Sequence, residues 1–364
     1  MIFAIGTPIN ARFRPWTYDW ALKPDALMIS AIDFFSSPRL FQKVIKEGIH
    51  DYLGWDGQII CDSGAFSAIN RKEKINLDLE ELKEIYREIT KQDSSILKIT
   101  LDFPDNKILE NYRELHPLEV QPVIPYDRIE IMNEIILKDG LPEWFFIGRL
   151  VPLMRKGGGH AARLFPVLDE LKRNLKNLEA IERVKLWALG VGAPSLINRL
   201  AEIVDGSDST RWRITGSNMV LLPKGGERGV GNLTKWRGTH HRISEGLEKE
   251  IVTKILQEID KKSGGLENLD DSLYPDKIPK QLKSKTEINL PKIGEILDKL
   301  WDKNKELSVY DLELLLRTSG NLRLIFNYWA ALSFKTSLNE IIESKKSDQL
   351  TLDTIFSNRE KELR

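Results

Sequence analysis

The chain of 364 residues, 41% of them hydrophobic, is long for one ordinary domain and suits a barrel of about 250 residues with an appendage. Its 54 basic and 54 acidic residues cancel, so overall charge points to no nucleic acid, and any basic surface must arise by local clustering. A single cysteine, Cys61, excludes an internal disulfide framework and any multi-cysteine zinc site, and no apolar stretch reaches the roughly 20 residues of a membrane span.

The opening MIFAIGTPIN lacks the basic start and long apolar middle of a signal peptide, so the expectation is a soluble, cytoplasmic protein. Short apolar runs then recur: IFAIG (2–6), ALMISAID (26–33), QIICD (58–62), ILKITLD (96–102), VQPVIPYD (120–127), WFFIGRL (144–150), KLWALGVG (185–192) and a stretch ending at SDSTRW (207–212). They run without clean alternation, which suits parallel strands buried on both faces. Helical patterns lie between several of them. In 77–92, Leu79, Leu82, Ile85, Tyr86 and Ile89 repeat at helical spacing among charges. Residues 161–182 read similarly, with Pro166 expected in the first turn, and 193–206 has a glycine exit at Gly206.

Eight strands with intervening helices predict an α/β fold, a (β/α)8 TIM-like barrel, with an open doubly wound sheet as the alternative. Several runs end in Asp or Gly: Asp62, Asp102, Asp127, Gly148, Gly190 with Gly192, and Asp208. A barrel would gather these strand ends on one face. The barrel is expected over 1–243, with a helical C-terminal extension over 244–364. Helix patterns cover 246–262, 291–304, 308–318 and 321–344, and a Gly-, Pro- and charge-rich linker lies near 263–287. Ser308 reads as an N-cap partnered by Asp311, and Trp329 and Phe334 as parts of a small helical core.

The stretch CDSGAFS (61–67) ends a strand with a carboxylate, two small residues and a ring. Small residues let a ligand approach the backbone, Phe66 could lie over a planar base, and Asp62 could transfer protons. A turn-capping Asp and a packing ring remain the plainer reading of the same residues. Asp102 in TLDFP could accept hydrogen bonds from a purine, or simply begin a turn before Pro104. Asp208 in GSDSTRWR could attack a sugar carbon covalently, or form a surface ion pair with Arg211 or Arg213. Asp205 reads as part of a helix-ending turn. Gly190 and Gly192 in LGVGAP could bring backbone close to a ligand, or serve a steric turn.

Taken together, these pieces resemble the tRNA-guanine transglycosylase superfamily. Asp62-Ser63-Gly64-Ala65-Phe66 is similar to its Asp-Ser-Gly-Gly-aromatic hallmark, and Asp102 to its base-contacting Asp. Gly148-Arg149-Leu150 is similar to its Gly-Gly-Leu strand end, and Gly190-Val191-Gly192-Ala193-Pro194 to its Gly-Val-Gly-x-Pro motif. Asp208 stands where the family carries its nucleophile. The resemblance covers about 58–213. It implies that Asp208 forms a covalent glycosyl-enzyme, that Asp62 is the general acid/base, that Phe66 and Leu189 sandwich the base, and that Asp102 and Gly148 read its edge. No cofactor is implied.

The family's tRNA enzymes carry a zinc site of three cysteines and a histidine. Cys61 alone cannot supply it; His240 and His241 are local candidates for metal ligation, with a polar loop as the plainer reading of adjacent histidines. With Ser-Gly-Ala-Phe and Asp-Ser-Thr, the chain resembles the branch that installs 7-deazaguanines in DNA. That implies exchange of guanine for 7-cyano-7-deazaguanine or a relative. The partners would be DNA, a free 7-deazaguanine base and a possible ATPase or helicase-like protein. A tRNA enzyme lacking zinc and a non-catalytic nucleic-acid-binding barrel are the alternatives. Nucleic acid would meet 211–242, where Arg211, Arg213, Lys224, Arg228, Lys235, Arg237 and Arg242 face one acid, Glu227, with Trp212, Trp236 and the two histidines interleaved. Arg155, Lys156, His160 and Arg163 around a triple glycine form a second basic segment, and a solvated basic loop is the plainer reading of both.

Overall fold

The computed structural model describes residues 1–65, 68, 78–101, 103–155, 160–192, 194–210, 212–213, 220–221, 228–229, 247–266, 269, 291–302, 305–318 and 320–336. Residues 1–213 and 214–364 form two compact units.

The first unit is an α/β fold around eight parallel strands: β1 (Ile2–Gly6), β2 (Ala26–Ser30), β3 (Gln58–Asp62), β4 (Leu97–Lys98), β5 (Val123–Pro125), β6 (Trp144–Gly148), β7 (Lys185–Ala188) and β8 (Gly206–Ser209). Each falls within or at the edge of an apolar run read from the sequence. Their order is β4-β3-β2-β1-β8-β7-β6-β5, and the sheet curls. A parallel bridge between Ile99 and Gln121 links the two ends of that order, with the Gln121 amide donating to the Lys98 carbonyl at 2.8 Å. This is the arrangement of a TIM-like barrel.

Two apolar layers explain the unbroken hydrophobic runs. Ala4, Ala26, Met28, Ile60, Ile99, Val123, Trp144, Phe146 and Trp187 form one cluster inside the curl. Their sequence neighbours Phe145, Ile147, Leu186 and Ala188 belong to an outer cluster with Leu164, Phe165, Leu168 and Leu171 of the helix His160–Asn177. The predicted helix over 77–92 is Leu79–Gln92. Asp78 caps it by accepting from the Glu81 amide, and Leu82, Ile85, Tyr86 and Ile89 are buried.

Two local expectations are corrected. Pro166 lies inside its helix, six residues past the start at His160, beyond the first turn. Burial of Leu164, Phe165 and Leu168 around it offsets the lost backbone hydrogen bond. Gly206 does not end a helix. The helix is Pro194–Leu200, and Gly206 opens β8. A Cβ at 206 would sit 2.0 Å from Cε3 of Trp187, so only glycine leaves room for the indole. Gly206→Ala is therefore expected to destabilise the fold by about 1–3 kcal/mol. Thermal denaturation of Gly206→Ala, with partial recovery on adding Trp187→Phe, checks it.

The second unit has helices Leu247–Ser263, Pro291–Trp301, Val309–Thr318 and Gly320–Thr336 and a short antiparallel pair, Val220–Leu221 with Arg228–Gly229. Ile255, Ile259, Leu300, Leu312, Leu315, Phe326 and Trp329 are buried. The Ser308 hydroxyl accepts from the Asp311 amide while the Asp311 carboxylate accepts from the Ser308 amide, each at 3.2 Å, a reciprocal capping box. The Phe334 side chain and most of the expected linker lie outside the described residues. Among the described residues no helix is long and apolar enough to cross a membrane.

Candidate active site at the carboxyl ends of the strands

Side chains two apart on a strand share a face. Ile60 is in the inner cluster, so Asp62 also faces inward, one layer nearer the carboxyl end of β3. The same step carries Met28 to Ser30, Phe146 to Gly148, Trp187 to Leu189 and Gly206 to Asp208. Below them Trp144, Phe146 and Trp187 fill the interior, with ring centroids 5.4–6.2 Å apart. The polar layer thus sits on an aromatic floor.

The run after Asp62 has a steric explanation. Gly64 adopts φ +84, and a Cβ there would meet Ser30 Oγ and Ile32 Cβ at 2.6 Å. The bend aims the Gly64 amide at Asp62 Oδ2, at 3.0 Å, and the Ser30 hydroxyl approaches the same oxygen at 3.4 Å. Ser63 and Ala65 are buried. The small residues therefore hold the carboxylate in place against the exit of β2.

Asp208 is only 5% exposed. Gly190, with φ +72, donates its amide to Asp208 Oδ1 at 2.9 Å, and the Trp187 indole donates to the same atom at 3.1 Å. No described residue bonds Oδ2. Burial pushes the carboxyl up to about 6, against the pull of the two donors. Gly192 packs on Ser209, where a Cβ would sit 2.2 Å from Ser209 Cβ. The glycine pair in LGVGAP thus serves Asp208 and its strand directly.

Asp62 and Asp208 share the inner face at the same end of the sheet. Their strands are three places apart in the order β3-β2-β1-β8, about 14 Å along the curved sheet and less across it. Leu189 is half-buried on β7's exit and Gly148 is buried at the end of β6. Asp205 lies at the other end of the barrel, where its carboxylate accepts from the Leu186 amide. Asp127 is exposed in a turn.

No protein-family model and no curated protein matches this chain. The site therefore rests on its own geometry.

Phe66, Asp102, Arg211, Lys224, Lys235, Arg237, Lys156, Arg242, Trp236, His240 and His241 lie outside the described residues, as does the side chain of Arg228. Arg213 is described. It is half-buried, its Nη1 is buried without a hydrogen-bond partner, and burial lowers its pKa against the attraction of Asp33. Trp212 is corrected: it is fully buried, with its indole donating to the Gly6 carbonyl at 3.1 Å, and cannot stack on a base. Cys61 is buried on the outer face, where burial pushes its thiol far up. Sequence reasoning missed Trp187 as an Asp208 donor. Its one signal was its place two residues before Leu189 on the same face. Among the described residues no cluster of His, Cys, Asp and Glu could hold a metal ion.

Proposed function

We propose that this chain is a guanine transglycosylase acting on DNA, a (β/α)8 barrel with a helical C-terminal extension that exchanges guanine for a 7-deazaguanine such as 7-cyano-7-deazaguanine. The observation that carries the reading is Asp208. One oxygen is pinned by Gly190 and Trp187, and the other takes no bond from a described residue at an inward-facing strand end that Asp62 shares.

In the first displacement, Asp208 Oδ2 bonds to the sugar C1′ as the C1′–N9 bond breaks, and Asp62 supplies a proton to the departing guanine. In the second, the incoming base gives its N9 proton to Asp62 and bonds to C1′, which releases the Asp208 carboxylate. Two inversions retain the sugar configuration, and no nucleotide triphosphate is consumed. The half-buried Leu189 and the backbone at Gly148 would line the base pocket, with Phe66 and Asp102 in the roles the resemblance implies.

The backbone at Arg149 agrees with the resemblance. It has φ +64, a region that disfavours non-glycine residues by about 1–2 kcal/mol. The resembled family carries a glycine at that position. Arg213 and the basic residues of 211–242 would meet phosphates. A duplex target must be flipped at a cost of a few kcal/mol, a step an ATPase or helicase-like partner could assist.

The test is nucleoside mass spectrometry after incubating the full chain with 7-cyano-7-deazaguanine and either DNA or tRNA. The modified nucleoside is expected in DNA only. Modification of tRNA alone would favour the zinc-free tRNA enzyme, and modification of neither would end the enzymatic reading.

A further inference from the structure

Four large apolar side chains are exposed among the described residues: Phe103, Leu137, Trp301 and Tyr310. Trp301 and Tyr310 belong to the second unit, and Leu137 lies in the Ile135–Asp139 turn that leads into the start of β6. Phe103 alone lies where a strand leaves the sheet at its carboxyl end, past β4, with 48% of its surface exposed. Leu101 on one side and Ile108 on the other are buried. In the order β4-β3-β2-β1-β8, β4 stands four places from β8, half of the eight-strand circuit. Phe103 is therefore across the mouth from Asp208. The span is roughly 12–15 Å for eight strands at their usual spacing. A flat, exposed apolar ring at the mouth offers the chemistry that takes the face of a nucleic-acid base.

We infer that Phe103 is a base-stacking residue, which takes the face of an unpaired base beside the target nucleotide on the rim opposite Asp208. The inference rests on the proposed function, since the stacked base belongs to the strand being modified.

The experiment measures binding of the full chain to a fluorescein-labelled single-stranded DNA by anisotropy, with 2-aminopurine placed on either side of the target guanine in a parallel set. Phe103→Ala is expected to weaken binding roughly 5- to 100-fold and to remove the 2-aminopurine quenching at one flanking position. Phe103→Trp should keep both. The ring is exposed, so Phe103→Ala should melt within a degree or two of the parent, and that measurement guards against loss of fold. If the parent binds and Phe103→Ala binds within twofold with unchanged quenching, this inference is wrong and the proposed function stands. If the parent binds no nucleic acid, both fall.

Discussion

Under the proposed reaction Asp208→Asn is expected to abolish base exchange and, at the same time, to make the folded chain more stable at pH 8. The lost nucleophile should cost at least about 10⁴-fold in rate. The stability gain follows from the burial that raises the carboxyl to about 6. A group whose pKa is raised on folding holds its proton more tightly in the folded state. Below about pH 4 it is protonated folded and unfolded and exacts no penalty. As pH climbs through 6 the folded chain must carry a buried anion, and stability falls by about 3 kcal/mol. Asparagine has no such charge, and its carbonyl still accepts from Gly190 and Trp187. Thermal melts of both proteins at pH 4 and pH 8 check this: the difference should appear only at the higher pH. In the parent protein the proposed reaction makes the rate of glycosyl-enzyme formation climb with pH up to about 6, following the same titration. An Asp208→Asn protein that melts lower than its parent at pH 8 would contradict the account.

Asp62→Asn should slow exchange by about 10²–10⁴-fold, the usual contribution of a positioned proton donor and acceptor. The fold should be spared, because the asparagine carbonyl can still accept from the Gly64 amide. The two variants should differ in kind. With Asp62→Asn, a covalent protein–DNA adduct should still form slowly and survive denaturation. With Asp208→Asn it should be absent. Gel mobility of denatured protein with bound oligonucleotide distinguishes them.

The strands were legible because burial on both faces leaves continuous apolar runs, and the carboxylates because each interrupts such a run at its end. What supports the carboxylates was less visible. Trp187 in KLWA reads as one more apolar strand residue, and its hydrogen bond to Asp208 depends on the pairing of β7 with β8. Gly206 follows an amphipathic stretch and so reads as a helix exit. The ring it accommodates is 19 positions away in sequence. Trp212 lies among arginines and reads as a stacking residue, yet it closes over the end of β1, a contact 206 positions away. In each case local pattern was outweighed by a packing partner distant in the chain. Gly64, Gly190 and Gly192 could be noticed from sequence, and their purpose follows only from the backbone angle or the neighbour each accommodates.

The three aromatic rings inside the barrel have a kinetic consequence. They fill the interior below the two carboxylates, so under the proposed reaction both heterocycles are expected to come and go by the mouth. Guanine has to depart before its replacement can arrive, which imposes a ping-pong sequence. Accumulating guanine then competes for the vacated pocket and drives the exchange backward.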